Sequence, residues 1–231
     1  MRIAICTPLH GDPKAEFTTS LVQLVAATYE TWPDDRGPIE IRYLTASGSN
    51  LPGNREKLVD MAIEAGADWI LWADSDHSFP RDSLMALLAA GQPIVGTNYP
   101  RRSGDHEPVA AIYDENGQAQ LVWTTEEKVR DKILEEVSFT GFGLLLMSVD
   151  SIRDLRPLFT AETGFGMSNE DAVACHKIRA AGHHIFVHHP LSWQIGHVAT
   201  QVLTNAQAIA LRQRRDMARQ ARERAASRRR S

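Results

Sequence analysis

The chain has 231 residues, 43% of them hydrophobic and 23% charged, with a formal net charge of −4. That is ordinary globular composition with enough length for one sizeable core, and it fits a single α/β domain with extensions better than two equal domains. The opening MRIAICTPLHGD has too short an apolar run and too little positive charge for a signal peptide, and no apolar stretch is long enough to span a bilayer. Cys6 and Cys175 fall in separate predicted elements, which argues against a disulfide framework. The expectation is a soluble protein of the reduced cytoplasm.

The net charge hides an asymmetry. From Gln201 to Ser231 nine arginines face only Asp216 and Glu223, a surplus of seven positive charges, so the remainder carries −11. The chain reads as an acidic body with a basic tail.

Taken in order, Arg2–Cys6 is an apolar strand ending at Thr7-Pro8. Phe17–Glu30 has helical apolar spacing, and Ile39–Leu44 is a second strand. Asn54–Ala65 reads as a helix with Leu58, Met61, Ala62 and Ala65 on one face and Gly66 as its stop. Trp69–Ala73 is a continuous apolar run, as expected of a strand buried on both faces. A helix from Pro80 to Gly91 and a short strand Pro93–Gly96 complete a β-α-β-α-β-α-β order, which predicts a mostly parallel sheet with crossover helices.

The pattern then changes. Val109–Tyr113 and Ala119–Trp123 flank Asp114-Glu115-Asn116-Gly117, and Asn-Gly is a strong hairpin signal. Phe142–Met147 reads as another core strand. Ser168 or Asn169 caps a helix, Glu170–Ala181, stopped by Gly182. His184–Val187 is a strand followed by a loop, Pro190–His197. Asn205–Arg230 is a helix former with a weak apolar face.

Three elements carry chemistry. The first is Asp74-Ser75-Asp76, where the apolar strand stops. In an extended chain residues i and i+2 point to the same side, so two carboxylates would stand together at the carboxyl end of a core strand, the edge where open α/β sheets bind ligands. Such hard oxygen donors suit Mg²⁺ or Mn²⁺ and a phosphate-bearing substrate; the plainer reading is a pair of strand-end acids capping the next helix. The second is Glu170-Asp171 in a first helical turn, either complementing the macrodipole or supplying a general base. The third is Gly196-His197, a solvated loop histidine or an imidazole completing a metal site begun by carboxylates. His183, His184, His188 and His189 form no obvious cluster and read as structural or surface residues.

In this order ADSDH, TGFGLLLMS at 140–148 and SNEDAVACHKIRAAGHHIFVHHPLSWQIGH at 168–197 closely resemble the GT-A glycosyltransferases, most of all glycosyltransferase family 2 and related bacterial enzymes. The resemblance covers roughly residues 1–200 as one GT-A, Rossmann-like nucleotide-sugar-binding domain, leaving 201–231 as an Arg-rich helical tail. It implies a donor nucleoside-diphosphate-sugar and an acceptor hydroxyl on a glycan, lipid or protein. It further implies that Asp76 and His197 ligate Mn²⁺ or Mg²⁺, and that Asp74 contacts the ribose or the metal through water, with Ser75 between them. Asp171, with Glu170 beside it, matches the catalytic base of an inverting transfer. Thr7 and Pro8 match the nucleotide-binding edge. Asn54 and Arg55 open a helix in the same pocket, where an N-terminus and a guanidinium favour phosphate; alternatively Asn54 is the helix cap. Gly141 and Gly143 match a segment near sugar and acceptor, or make a turn before a core strand. Arg101 and Arg102 contact phosphate or lie in a solvated loop, and the loops 99–108 and 124–140 are expected to set acceptor choice.

Two departures stand out. Thr45-Ala46-Ser47-Gly48 replaces the acidic pair that reads the base in many relatives, and the first strand ends in Pro8-Leu9-His10-Gly11. The alternatives are a sugar-phosphate nucleotidyltransferase, which usually needs a glycine-rich loop after the first strand, and a nucleotide-sugar-binding protein of the same fold without turnover. The basic tail reads first as a solvated or disordered helix and second as a ligand for an anionic membrane surface at the inner face, at ~1 kcal/mol per basic residue. Nucleic acid is disfavoured, since no aromatic residue lies in the tail for base stacking.

Overall fold

The computed structural model describes residues 1–102, 105–159, 170–199 and 202–228 of the chain. In chain order its elements are β1 (Arg2–Leu9), α1 (Ala15–Thr31), β2 (Glu40–Ser47), α2 (Leu51–Glu64), β3 (Trp69–Ala73), β4 (His77–Ser78), α3 (Ser83–Ala89) and β5 (Ile94–Gly96). There follow β6 (Ala111–Tyr113), β7 (Ala119–Leu121), α4 (Glu126–Asp131), β8 (Leu134–Val137), β9 (Leu144–Ser148) and α5 (Glu170–Ala180). The chain ends in β10 (Ile185–His188), α6 (His189–Ser192), β11 (Gly196–Val198), β12 (Val202–Thr204) and α7 (Asn205–Arg228).

A seven-stranded sheet in the order β2-β1-β3-β9-β5-β10-β8 organises the molecule. Five strands run in one direction, while β9 and the edge strand β8 run against their neighbours. The sheet is therefore mixed and mostly parallel. The alternating pattern at the start of the chain predicts successive parallel neighbours, but β5 lies one strand away from β3 and β9 fills the gap antiparallel to both. That central place follows from composition: Leu144, Leu145, Leu146 and Met147 are all fully buried, so both faces of β9 must be covered.

β3 shows the same logic. Ile70 and Trp72 pack into the cluster on one face of the sheet, and Leu71 and Ala73 into the cluster on the other. A run apolar on both faces can stand only in the middle of a covered sheet. The hairpin forms where Asn-Gly marks it, β6 against β7, with Gly117 at a φ of +74°. The loop is longer than a two-residue turn, because Asp114 Oδ1 accepts from the backbone N–H of both Asn116 and Gln118 and so stabilises a wider bend.

Several boundaries differ from the sequence expectation. α2 begins three residues before Asn54, and the cap is Asn50, whose side-chain oxygen accepts from Gly53 N at 3.2 Å. Pro52 in the first turn is the local reason, its fixed φ suiting the helix start. Asn54 instead donates from Nδ2 to Gly48 O at 3.1 Å and ties α2 to the end of β2. The segment 190–197 is not a loop, since α6 begins at His189 and Gly196-His197 belong to β11. Within 124–140 the chain forms α4 and the edge strand β8, which pairs with β10. The expected cap at Ser168 or Asn169 lies outside the described residues.

A second, three-stranded sheet, β12-β11-β4, closes over the carboxyl end of β3. The division expected at residue 200 thus falls between two paired strands. The first turns of α7 are docked on the body: Asn205 Nδ2 donates to Asn98 O at 2.9 Å, Ala208 is buried, and the Arg212 guanidinium stands 4.7 Å from the Trp123 ring centroid. Cys6 and Cys175 are both buried free thiols. Among the described residues no helix is long and apolar enough to cross a membrane.

Candidate functional site

The site is built where β3 stops. Past Ala73 the chain turns at once, with His77 N donating to Asp74 O at 3.1 Å. Asp74 and Asp76 therefore do not share one face of an extended strand. Both line a cavity of about 470 Å³ with Ser75, Pro8, His10, Asp12, Lys14, Leu51 and Arg102, but their carboxylates have separate partners.

Asp76 meets histidine. Its Oδ1 lies 3.0 Å from His77 Nδ1 and its Oδ2 lies 3.6 Å from His197 Nε2. The two imidazoles stack, 4.4 Å between centroids and 20° apart. The three side chains can offer ligand atoms all within 4.8 Å of one another. β11 brings His197 here: His197 pairs in register with His77 of β4, and Val198 N donates to Asp76 O at 2.7 Å. Burial alone would raise the Asp76 carboxyl, but the His197 and His77 imidazoles that face it outweigh that and hold the group well below the usual carboxylate range.

The tautomers follow from the partners. Pro100 O accepts from His197 Nδ1 at 2.9 Å, so Nδ1 carries a proton and Nε2 faces Asp76. Burial depresses the pKa of His77, so it is neutral, and an ionised Asp76 accepts a hydrogen bond from its Nδ1–H. His77 Nε2 is then a bare acceptor, buried and without a hydrogen-bond partner among the described residues. It packs against Gly143, where a Cβ would come 2.5 Å from Nε2 and 2.6 Å from Tyr99 Cζ, so only glycine fits. Arg102 adds an exposed cation, its Nη1 2.9 Å from Asp76 Oδ2.

Asp74 meets Arg55, whose Nη2 lies 3.2 Å from Oδ1 and 3.4 Å from Oδ2. Arg55 Nε also stands 3.6 Å from Asp171 Oδ1 and 3.8 Å from Glu170 Oε1. One guanidinium thus joins the end of β3 to the start of α5. The turn before β9 joins them a second time: Gly143 O accepts from Asp74 N at 2.9 Å, while Phe142 N donates to Asp171 Oδ2 at 3.3 Å. Tyr99 Oη accepts from Gly143 N at 2.8 Å.

The environment of Asp171 suits proton transfer. Burial raises its carboxyl, Arg55 opposes that, and the neighbouring charges of Glu170 and Asp74 raise it again, to about 7. Its Oδ1 has no hydrogen-bond partner among the described residues and is the atom left to accept a proton.

The structure thus gathers Pro8, Asp74, Ser75 and Asp76 on the cavity, His197 on Asp76, and Glu170 and Asp171 beside Asp74 through Arg55. Thr7 is fully buried and, like Asn54 and Arg55, does not line the cavity. Sequence reasoning missed His10, Asp12 and Lys14, which follow β1 at the ligand-binding edge of the sheet, and His77, which directly follows the aspartate pair. His189, read with its neighbours as structural or surface, is buried, its ring between Thr124 Oγ1 and Glu135 Oε2, both at 2.9 Å.

Fold and site together define an α/β protein with a large mixed sheet and a candidate metal centre at the sheet's carboxyl edge. No family model matches the chain, and no curated protein does. Among solved structures it is similar to the crystal structure of A197 from STIV, with a TM-score of 0.58 over 90% of this chain and 92% of that chain, at 16% sequence identity. At that identity the likeness bears on the fold alone.

Proposed function

We propose that the chain is a metal-dependent glycosyltransferase of the GT-A type, moving a sugar from a nucleoside-diphosphate-sugar to an acceptor hydroxyl with inversion. The observation that carries the reading is the joint placement of two functions at one sheet edge: an aspartate–histidine cluster beside a cavity, and a raised carboxylate, Asp171, tied to it through Arg55 and Asp74. A transferase of this type uses a cation at the leaving diphosphate and a base at the attacking hydroxyl; the cluster could hold the first and Asp171 could serve as the second.

The donor set fits a divalent ion. Asp76 is ionised, His197 has its Nδ1 fixed as a donor, and His77 stands behind Asp76 as an orienting partner. An imidazole beside a carboxylate favours a transition ion such as Mn²⁺ over Mg²⁺, which prefers oxygen ligands and retains its waters. A bound ion would neutralise charge developing on the diphosphate.

The chain's own residues do the rest. Arg102 and Lys14 place positive charge on the cavity where a diphosphate would lie. Asp171 takes the proton of the acceptor hydroxyl as its oxygen attacks the anomeric carbon. The new C–O bond forms on one face while the bond to the diphosphate breaks on the other, and the electron pair leaves with the nucleoside diphosphate. Burial chiefly, and the like charge of Glu170 beside it, keep Asp171 basic.

Calorimetric titration with UDP, GDP and their sugars, with and without Mn²⁺, tests this. Metal-dependent tightening by one nucleotide supports the reading and names the donor class. Equal affinity with and without the ion overturns the metal assignment.

A further inference from the structure

Arg55 occupies an unusual place. The buried face of α2 consists of Arg55, Leu58, Val59 and Ala62, the i, i+3, i+4, i+7 stripe of a core-facing helix. Where an apolar residue is expected, the chain places a guanidinium that is 1% exposed. Among the described residues three rings stand against it, Trp72, Phe142 and Phe159, with centroids 5.4, 5.5 and 5.7 Å from its central carbon. Burying a cation carries a desolvation penalty even when it is paired, and well-packed apolar residues of the same volume are often the more stable choice. Stability alone does not account for an arginine here.

Its contacts do. Among the described residues the carboxylates within 4 Å of the guanidinium are Asp74, Glu170 and Asp171, the residues that bracket the candidate site. Their charges outweigh the burial that would depress the arginine, so it stays protonated at any working pH. Among the described residues Nε and Nη1 make no hydrogen bond, so the cation is held by charge and by the ring cage rather than by a saturated donor set.

We propose that Arg55 is a positioning residue rather than a phosphate ligand: its caged guanidinium locks the turn at Asp74 to the first turn of α5, setting the distance between the donor-facing edge and Asp171. The consequence for transfer rests on the transferase reading above; the coupling between Arg55 and Asp171 does not. Among the described residues the groups that face Asp171 are Arg55 from α2, Asp74 from the end of β3, Glu170 beside it, Tyr99 after β5, and Cys175 one turn along α5.

Two experiments decide it. In full-length protein labelled with ¹⁵N-arginine, with no metal or nucleotide added, the Nε resonance of Arg55 is expected to shift with a midpoint near the Asp171 titration, and the shift is expected to vanish in Asp171→Asn. An Arg55 resonance that stays still across that range overturns the proposal without reference to activity. In the second, Arg55→Lys keeps the buried charge and loses the planar fork. It is expected to lower kcat for transfer by about 10²-fold, the scale of a small misplacement of catalytic groups, with the donor KM unchanged. A raised KM with kcat intact makes Arg55 a donor ligand and also overturns the proposal. If the wild type transfers no sugar, the transferase reading fails and the labelled-arginine experiment still tests the coupling.

Discussion

His197 presents Nε2 to Asp76 Oδ2 across 3.6 Å, a gap too long for a hydrogen bond and suited to two ligands of one ion. With Nδ1 donating to Pro100 O, it is Nε2 of His197 that is turned toward the Asp76 carboxylate. His197→Ala and Asp76→Ala are each expected to abolish the Mn²⁺-dependent part of nucleotide binding while leaving the fold intact. His77→Ala removes the partner that orients Asp76 and is expected to weaken metal affinity by about 10–100-fold. Isothermal titration with Mn²⁺, and with nucleotide in its presence and absence, checks all three. Wild-type affinity in His197→Ala would remove that residue from the metal site.

Asp171→Asn keeps the shape of the side chain and removes the base. Donor binding is expected to survive, and transfer to fall about 10²–10⁴-fold, the usual contribution of general base catalysis. Because the carboxyl titrates near 7, chiefly through burial, transfer by the wild type is expected to rise with pH through that value and level above it. The folded-state pKa lies above the unfolded value, so between about 4 and 7 the native state binds more protons and stability falls as pH rises. At higher pH the cost is constant, at most about 4 kcal/mol for a shift of this size. Asp171→Asn is therefore expected to melt higher than wild type above neutrality and to lose that advantage in acid. Thermal melts across the range check the sign, and a flat transfer profile would move the base to Glu170.

Gly143→Ala brings a methyl group against the His77 ring and Tyr99, both buried and held by their own contacts. Overpacking of this kind costs typically 1–3 kcal/mol. The displaced atoms belong to the turn that carries Asp74 and to the ring behind Asp76, so the variant is expected to lose both melting temperature and Mn²⁺ affinity. Gly117→Ala, in the hairpin loop at positive φ, is expected to lose melting temperature alone. Equal Mn²⁺ affinity in Gly143→Ala and wild type would separate the glycine from the metal site.

How much of this was legible depends on the kind of signal. β3 and α5 are found from pattern alone, because a two-face apolar run and an acid-led, glycine-stopped helix are local features. The place of β9 between β3 and β5 is not local: sequence shows that Leu144–Met147 is buried and leaves open which strands it joins. The aspartate pair was found and its geometry missed, since the spacing argument holds for an extended chain and the chain turns at Ser75. Arg55 was readable in type but not in role. Its helical register with Leu58, Val59 and Ala62 places it on the buried stripe, yet only the fold shows three rings and three carboxylates converging on it. His197 was placed in a loop because β11 is three residues long and is held by pairing with distant His77 and Leu203.

The basic tail bears on the site through a contact that its composition does not announce. Arg215 Nη1 lies 2.8 Å from Asp105 Oδ2 and 3.2 Å from Glu107 Oε1, on the segment that also carries Arg102 to Asp76. Arg212, one turn earlier, stacks on Trp123. Deleting Leu211–Ser231 removes both anchors and leaves the buried Asn205 and Ala208 in place, so the body is expected to keep its fold while limited proteolysis between Arg101 and Glu107 becomes faster. The contacts are exposed ion pairs, so the same acceleration is expected for the intact chain at high salt. Unchanged proteolysis in the truncated chain would show that α7 does not restrain this segment. Co-sedimentation of both proteins with anionic vesicles reads the other expectation for the tail: binding lost on truncation assigns the membrane contact to its arginines, and equal binding removes it.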